Sequence, residues 1–323
     1  MIGGRAMKEA LRFGTHVALW PFERAALARA QTGLRHPALF IVGPPRSGTT
    51  LLYQLLVQRF RTSYLSNLAA TLYRTPIAAT RLGRAILPTH ESDYRSTYGR
   101  VSGPLAPSEA GSVWGRWFPS GLDAVRGGSA DELDPARREQ MGRTIAGIEA
   151  SFGVPFVSKN VYHSIRIRPL AKAFPSALFL VMERDRCETA VSILHARRTR
   201  SRSVDAWWSV PPREVGQLQG ASLLEQVAGQ VHYIERDIAE DLDRLGFERG
   251  LAVSYHELCT DPEAVLAGIA AFAARSGCML QERGVVPERF EPGGGKKDVT
   301  ADEIERLRAI FERWRARDSV EAG

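Results

Sequence analysis

Leu39-Phe40-Ile41-Val42-Gly43-Pro44-Pro45-Arg46-Ser47-Gly48-Thr49-Thr50-Leu51-Leu52 is the stretch on which the fold turns. A short apolar run fit for a buried strand enters a Gly/Pro turn, and a helical stretch follows at once. That order makes a phosphate cradle. Gly43 and Gly48 permit the tight backbone path, the amides of Ser47 to Thr50 can point into one concavity, and the helix N-terminus adds its positive end. Arg46 supplies a fixed cation. Nucleotide hydrolases need Lys directly after the second Gly and a hydroxyl after it for magnesium. Thr49 stands at that Lys position here, so a triphosphate with its metal is poorly served. A single phosphate with a charged group beside it is well served.

Working outward, further strand-like runs lie at Val154 to Val157, Ala177 to Met182 and Leu251 to Ser254, and the first run extends back to Ala38. Helical patterns separate them at Thr49 to Phe60, Ala136 to Ser151, Ser164 to Phe174, Glu188 to Arg198, Ser222 to Leu242 and Pro262 to Ala274. In one of these, Leu224, Val227, Val231, Ile234, Ile238 and Leu242 recur at spacings of three and four, a core-facing stripe. Alternating strands and helices predict an α/β fold with three layers, α/β/α, around a central parallel sheet. Ligands then bind beyond the carboxyl ends of the strands, at the loops after Val42, Val157, Met182 and Ser254.

Two segments, 62–134 and 201–220, fit the alternation poorly and are rich in Pro, Gly, Ser and Trp. Long irregular segments in a compact domain act as binding loops or lids, so the acceptor site is expected there. Residues 1–36 read as a helical extension, partly amphipathic from Met7 to Ala30, that packs on the domain or lies on a membrane surface. Thr300-Ala301-Asp302-Glu303 is a capping box that opens a C-terminal helix after a basic Gly-rich loop, so 293–323 forms a closing element. All of this is read as a single domain spanning 1–323.

The chain has 323 residues, 44% hydrophobic and 24% charged, with a formal charge of +7. That composition excludes a disordered or fibrous protein. Its basic excess favours anionic partners, but the cations are scattered rather than striped along one segment, which speaks against nucleic acid and against a module whose role is to bind anionic polymers or membranes. Cys187, Cys259 and Cys278 form no CxxC pair, so neither a disulfide framework nor a zinc knuckle is indicated. With no apolar run long enough to span a bilayer and no signal-peptide pattern, a cytoplasmic protein is expected.

Pro45-Arg46-Ser47-Gly48-Thr49-Thr50-Leu51 resembles the loop that binds the 5′-phosphosulfate in sulfotransferases using 3′-phosphoadenosine 5′-phosphosulfate (PAPS), with Arg46 where many members carry Lys. Members with an aromatic after the paired Thr stack it on adenine; Leu51 stands there, so that contact must come from elsewhere. Arg184 at a strand end and Ser192, eight residues on, are similar to the family's 3′-phosphate pair. An Arg fork and a hydroxyl suit a phosphate on physical grounds as well. Leu251 to Leu258, followed by Asp261-Pro262-Glu263, is similar to the family segment whose Tyr lies near adenine, which makes Tyr255 the candidate for that contact. Gly293-Gly294-Gly295-Lys296-Lys297 corresponds in composition to a basic loop over the 3′-phosphate. The resemblance runs from Leu39 to Phe272 as ordered landmarks.

It implies PAPS as donor, 3′,5′-adenosine bisphosphate as product, no metal, and a small-molecule acceptor bearing a hydroxyl or, less readily, an amine. Sulfuryl transfer is an in-line displacement needing a base for the acceptor and cations around the sulfuryl oxygens. Lys159 follows a strand where the family often has a Lys near the bridging oxygen. Two residues compete as base. His163 resembles the His of a Lys-x-Pro-x-His variant in bacterial members, although Val161 replaces the Pro. Glu109, in the loop before Trp114 and Trp117, matches a Glu base used by other members. Trp114, Trp117, Trp207 and Trp208 suggest an acceptor with apolar or ring surface. Two other readings remain: an atypical phosphate-loop kinase or NTPase, and a non-catalytic module binding anionic polymers or membranes.

Overall fold

The computed structural model describes residues 2–125, 133–200, 207–293 and 298–321. Lys296 and Lys297 lie outside the described residues, as do 126–132 of the first irregular segment and 201–206 of the second.

Four strands, β1 (Leu39–Val42), β2 (Val157–Lys159), β3 (Leu178–Glu183) and β4 (Gly250–Ser254), form one parallel sheet in the order β2-β1-β3-β4. In register, Leu39 lies between Val157 on one side and Leu178 on the other. Successive side chains of a strand point to opposite faces. Leu39 and Ile41 accordingly pack with Leu52, Leu55 and Leu56 of the helix Thr49–Arg59 and with Leu266 and Ile269 of the helix Pro262–Arg275. Phe40 and Val42 face the other layer, with Ile145 and Ile148 of the helix Pro135–Phe152 and Ile234 and Ile238 of the helix Leu223–Leu245. Burial on both faces explains why the strands read as unbroken apolar runs. The α/β/α expectation is met.

The chain leaves β1 toward β2 on one side and returns to place β3 on the other, so the loops after β1 and β3 part there and open a crevice. β2 starts later than the sequence suggested, at Val157 rather than Val154. Gly153 caps the preceding helix in the left-handed conformation, and Pro155 has no N–H to give a ladder. The Pro155 carbonyl instead accepts from the Ser63 amide at 2.8 Å, and the Val157 amide donates to the Ser63 carbonyl at 2.8 Å. The shift carries Lys159 to the strand's carboxyl end.

Segment 62–134 is less irregular than its composition implied. It holds the helices Asn67–Thr71, Pro76–Ile86 and Gly111–Trp114. Pro76 occupies a first-turn position, where its missing N–H is no loss. The exposed amides of that turn are met from far away: Ile77 and Ala78 donate to the buried Glu23 carboxylate at 3.4 and 2.8 Å. Glu23 belongs to the N-terminal helix Ile2–Arg29, which thereby packs on the domain.

The helices Arg186–Arg200, Leu223–Leu245 and Ala301–Glu321 make a further apolar cluster through Val191, Leu194, Val227, Val231, Leu307 and Phe311. The capping box at Thr300 forms and the structure adds a second at Ser222: Glu303 and Glu225 donate their amides to the hydroxyls of Thr300 and Ser222 at 3.2 and 3.3 Å. Among the described residues no helix is long and apolar enough to cross a membrane.

Candidate active site

A cleft of about 1670 Å³ opens at the carboxyl ends of all four strands. Pro45, Arg46 and Gly48 to Leu51 line it after β1, Lys159 and Val161 at β2, Arg184 to Glu188 with Val191 and Ser192 after β3, and Tyr255 after β4.

The loop after β1 is held from both sides. The Gly43 amide donates to the Ser164 hydroxyl at 3.0 Å, and that hydroxyl donates back to the Gly43 carbonyl at 2.9 Å. Ser47 is spent within the loop: its hydroxyl donates to the Pro44 carbonyl at 2.8 Å, its amide does so at 3.3 Å, and its side chain is buried away from the cleft. Gly48 adopts φ 105° and begins the helix Thr49–Arg59 with no side-chain cap, so the first amides of the helix are left for a ligand. A Cβ on Gly48 would come within 2.3 Å of the Tyr255 ring, which closes over the loop. Arg46 takes φ 73°, a left-handed conformation costly for a residue with a Cβ. Burial lowers its pKa, chiefly through desolvation, with Arg184 adding to the effect. A charge kept partly out of water in this way interacts strongly with an anion.

Arg46 donates through Nε to the Ser192 hydroxyl at 3.0 Å. Arg184 spans the same gap, donating to the Arg46 carbonyl at 3.2 Å and to the Gly293 carbonyl at 3.3 Å, while its guanidinium lies 4.4 Å from the Tyr255 ring centre. Its charge is answered by Glu188 at 2.9 Å, an exposed carboxylate that can swing aside. Gly293 donates its amide to the Tyr255 hydroxyl at 3.2 Å, which fastens the start of the basic loop to this cluster.

At β2, Lys159 is 2% exposed and its ammonium donates to Oε1 of Glu109. Glu109 is aimed by one contact and one backbone turn. Asn160 donates to its carbonyl at 2.8 Å, and Ala110 beside it takes the left-handed φ of 46°. His163 is elsewhere. It is fully buried beneath the sheet, edge-on to Phe40 and Trp114, with Nε2 3.1 Å from the Ser158 hydroxyl. Desolvation, then Arg166 and Lys159, hold its pKa well below the usual value. It is not among the residues that line the cleft, so of the two candidate bases the cleft holds Glu109.

The four tryptophans divide in the same way. Trp114 and Trp117 are each 1% exposed and pack in the core, so they line nothing. Trp207 lies under the Arg197 guanidinium at 4.9 Å, and Trp208 borders the cleft.

Tyr98 and Gly99 escaped sequence reasoning. They form the tip of a turn in which Thr97 and Arg100 exchange backbone hydrogen bonds at 2.9 and 3.1 Å. Tyr98 lies between the guanidiniums of Arg46 and Arg200, 5.2 and 4.4 Å from its ring centre, and edge-on to Trp208. A hydrogen bond with Thr199, followed by Arg200 and Arg46, lowers its pKa against the opposing effect of burial. Gly99 takes the left-handed φ of 84° beside Glu109, and a Cβ there would also sit 2.6 Å from Glu109 Oε1. The Tyr-Gly pair in a polar run signals a turn, but its docking against Arg46 is set by tertiary structure alone.

No curated protein sequence matches this chain. Among solved structures, sulfotransferase STF9 from Mycobacterium avium is similar over 92% of this chain and 72% of its own, at 20% identity and a TM-score of 0.53. Sulfotransferase STF1 from Mycobacterium tuberculosis H37Rv aligns over 91% and 75%, at 15% identity and a TM-score of 0.49. The first shares the fold built above. The model of the sulfotransferase family matches residues 37–276, a span that holds all four strands together with Arg46, Glu109, Lys159, Arg184 and Tyr255, and the chain belongs to that family.

Proposed function

We propose that this sulfotransferase moves the sulfuryl group of PAPS to a hydroxyl of a small molecule, and that an amine is the less suited acceptor. One observation carries the reading: the uncapped helix N-terminus with Arg46 opens into the same cleft as the Lys159–Glu109 pair. A cation-rich cradle and a carboxylate facing one space are what an in-line displacement between anionic donor and neutral acceptor needs.

The residues present fit the donor. Gly48, Thr49 and Thr50 with Arg46 would hold its 5′-phosphosulfate; Arg184 and Ser192 would hold the 3′-phosphate once Glu188 turns outward, and Tyr255 would border the adenine. Bound PAPS supplies an activated sulfuryl group on a phosphate leaving group. Lys159, at the end of β2, neutralises charge on the sulfuryl oxygens and is freed for that task when Glu109 takes a proton. Glu109 accepts the hydroxyl proton as the acceptor oxygen bonds to sulfur and the bond from sulfur to the 5′-phosphate oxygen breaks. Arg46 and the helix amides take up the negative charge left on 3′,5′-adenosine bisphosphate. Trp208 and Tyr98 offer ring surface to the acceptor.

Incubation with sulfur-labelled PAPS and a library of hydroxyl compounds tests this. Label should pass to at least one acceptor with stoichiometric release of 3′,5′-adenosine bisphosphate. Label that stays on the donor across an acceptor series including phenols, alcohols and amines contradicts the proposal.

A further inference from the structure

The helix Ile2–Arg29 packs through one face only. His16, Glu23 and Ala26 are buried against the domain, while Met7, Leu11, Phe13, Val17, Trp20 and Phe22 are 49% to 73% exposed. Between positions 10 and 25 every exposed residue except Arg12 and Arg24 is uncharged, and all the uncharged ones are apolar or glycine. Glu23, the carboxylate of that stretch, is turned inward onto the helix Pro76–Ile86. Arg29 adds an exposed cation at the helix end, and Arg74 lies close enough to His16 to act on it electrostatically together with Arg12.

Two features decide what covers this face. At 100° per residue, Phe13 and Trp20 lie about 180° around the helix from Leu11 and Phe22, so the apolar surface is broad and convex. A protein groove receives a narrow stripe, whereas a fluid interface receives a broad one, with Trp at its boundary. The exposed charges along the helix also carry a cationic excess, Arg12, Arg24 and Arg29 against Glu9. A second copy would meet this cationic excess with the same excess, Glu9 being the one exposed carboxylate to set against three arginines on each chain's described helix. An anionic headgroup layer answers both features at once. No helix among the described residues can cross the bilayer, so the contact lies in the plane of the surface.

We infer that the N-terminal helix docks the protein on an anionic lipid surface, with Leu11, Val17, Trp20 and Phe22 entering the headgroup boundary and Arg24 and Arg29, which share that side of the helix, pairing with lipid phosphates. This does not depend on the reading of the cleft.

Sedimentation with vesicles of equal parts phosphatidylcholine and phosphatidylglycerol tests it. The wild-type chain should sediment with them, less so as salt rises, and only weakly with pure phosphatidylcholine. Trp20→Ser with Phe22→Ser, and separately Arg24→Ser with Arg29→Ser, should each weaken binding by about ten-fold or more while the thermal midpoint stays within a few degrees. Failure of the wild type to sediment, or undiminished binding by the Trp20/Phe22 variant, overturns the inference. A concentration-dependent dimer without vesicles, dissolved by the same substitutions, assigns the face to a second copy and overturns it too.

Discussion

Two sides of one cleft are built differently. The proposed donor side comes from residues at most a few positions beyond a strand: Arg46 after β1, Arg184 after β3 and Tyr255 after β4. The proposed acceptor side comes from Glu109 and the Tyr98–Gly99 tip, carried by segment 62–134, which contributes no strand among its described residues. The donor side inherits its geometry from the sheet. The acceptor side is positioned by single long-range contacts, such as Asn160 to the Glu109 carbonyl and Glu23 to the helix Pro76–Ile86. A site arranged in this way can keep its donor while its acceptor changes.

Substitutions on the two sides should therefore separate. The largest effect is expected from Glu109→Gln, which keeps the shape but removes the base: kcat should fall by about 10² to 10⁴-fold with donor-nucleotide affinity unchanged within a small factor. An equal loss of nucleotide affinity would dissolve the distinction between the sides. His163→Gln is the matched control, because it alters the other residue first considered as base. Stability should drop by about 1–3 kcal/mol as a buried hydrogen bond is lost, with kcat in the folded fraction close to wild type.

Trp114→Ala and Trp208→Ala sharpen the contrast between aromatics of the core and of the cleft. Removing the buried Trp114 should cost about 3–5 kcal/mol in chemical denaturation. Trp208→Ala should cost far less and raise the acceptor KM instead. The smallest effect concerns Asp237, which is 1% exposed and has its pKa pushed up to about 7, first by burial and against the pull of Arg213. A raised folded-state pKa favours the protonated form, so this group stabilises the fold fully below about pH 4 and progressively less as pH rises through 7. Asp237→Asn should raise the thermal midpoint at pH 8, by an amount corresponding to about 1 kcal/mol, and leave it unchanged near pH 4. A midpoint lowered at pH 8 would mean that the ion pair with Arg213 outweighs the cost of burial.

The same contrast explains what was legible in advance. Strand, loop and helix around Arg46 are local, and their residue types are dictated by backbone geometry, so the sequence alone located them. Arg184 follows β3 directly and Ser192 rides on the helix Arg186–Arg200, so one short local stretch carries both to the cleft. Trp114, Trp117 and His163 misled because a polar-looking segment and a position after a strand suggested exposure, whereas Phe40 on the far face of β1 needed aromatic partners. Tyr98 left no trace beyond a Tyr-Gly turn. Its place between two guanidiniums exists only after the sheet has brought Arg46 and the helix Arg186–Arg200 together.

The central claim is that the loop after β1 and Arg184 grip a doubly phosphorylated nucleotide. Calorimetric titration with 3′,5′-adenosine bisphosphate tests it most directly. The wild type should bind at one site in the absence of added metal, Arg46→Ala and Arg184→Ala should each weaken binding by about ten-fold or more, and Glu109→Gln should bind as the wild type does. Undiminished binding by both arginine variants, or no binding by the wild type, would contradict the account.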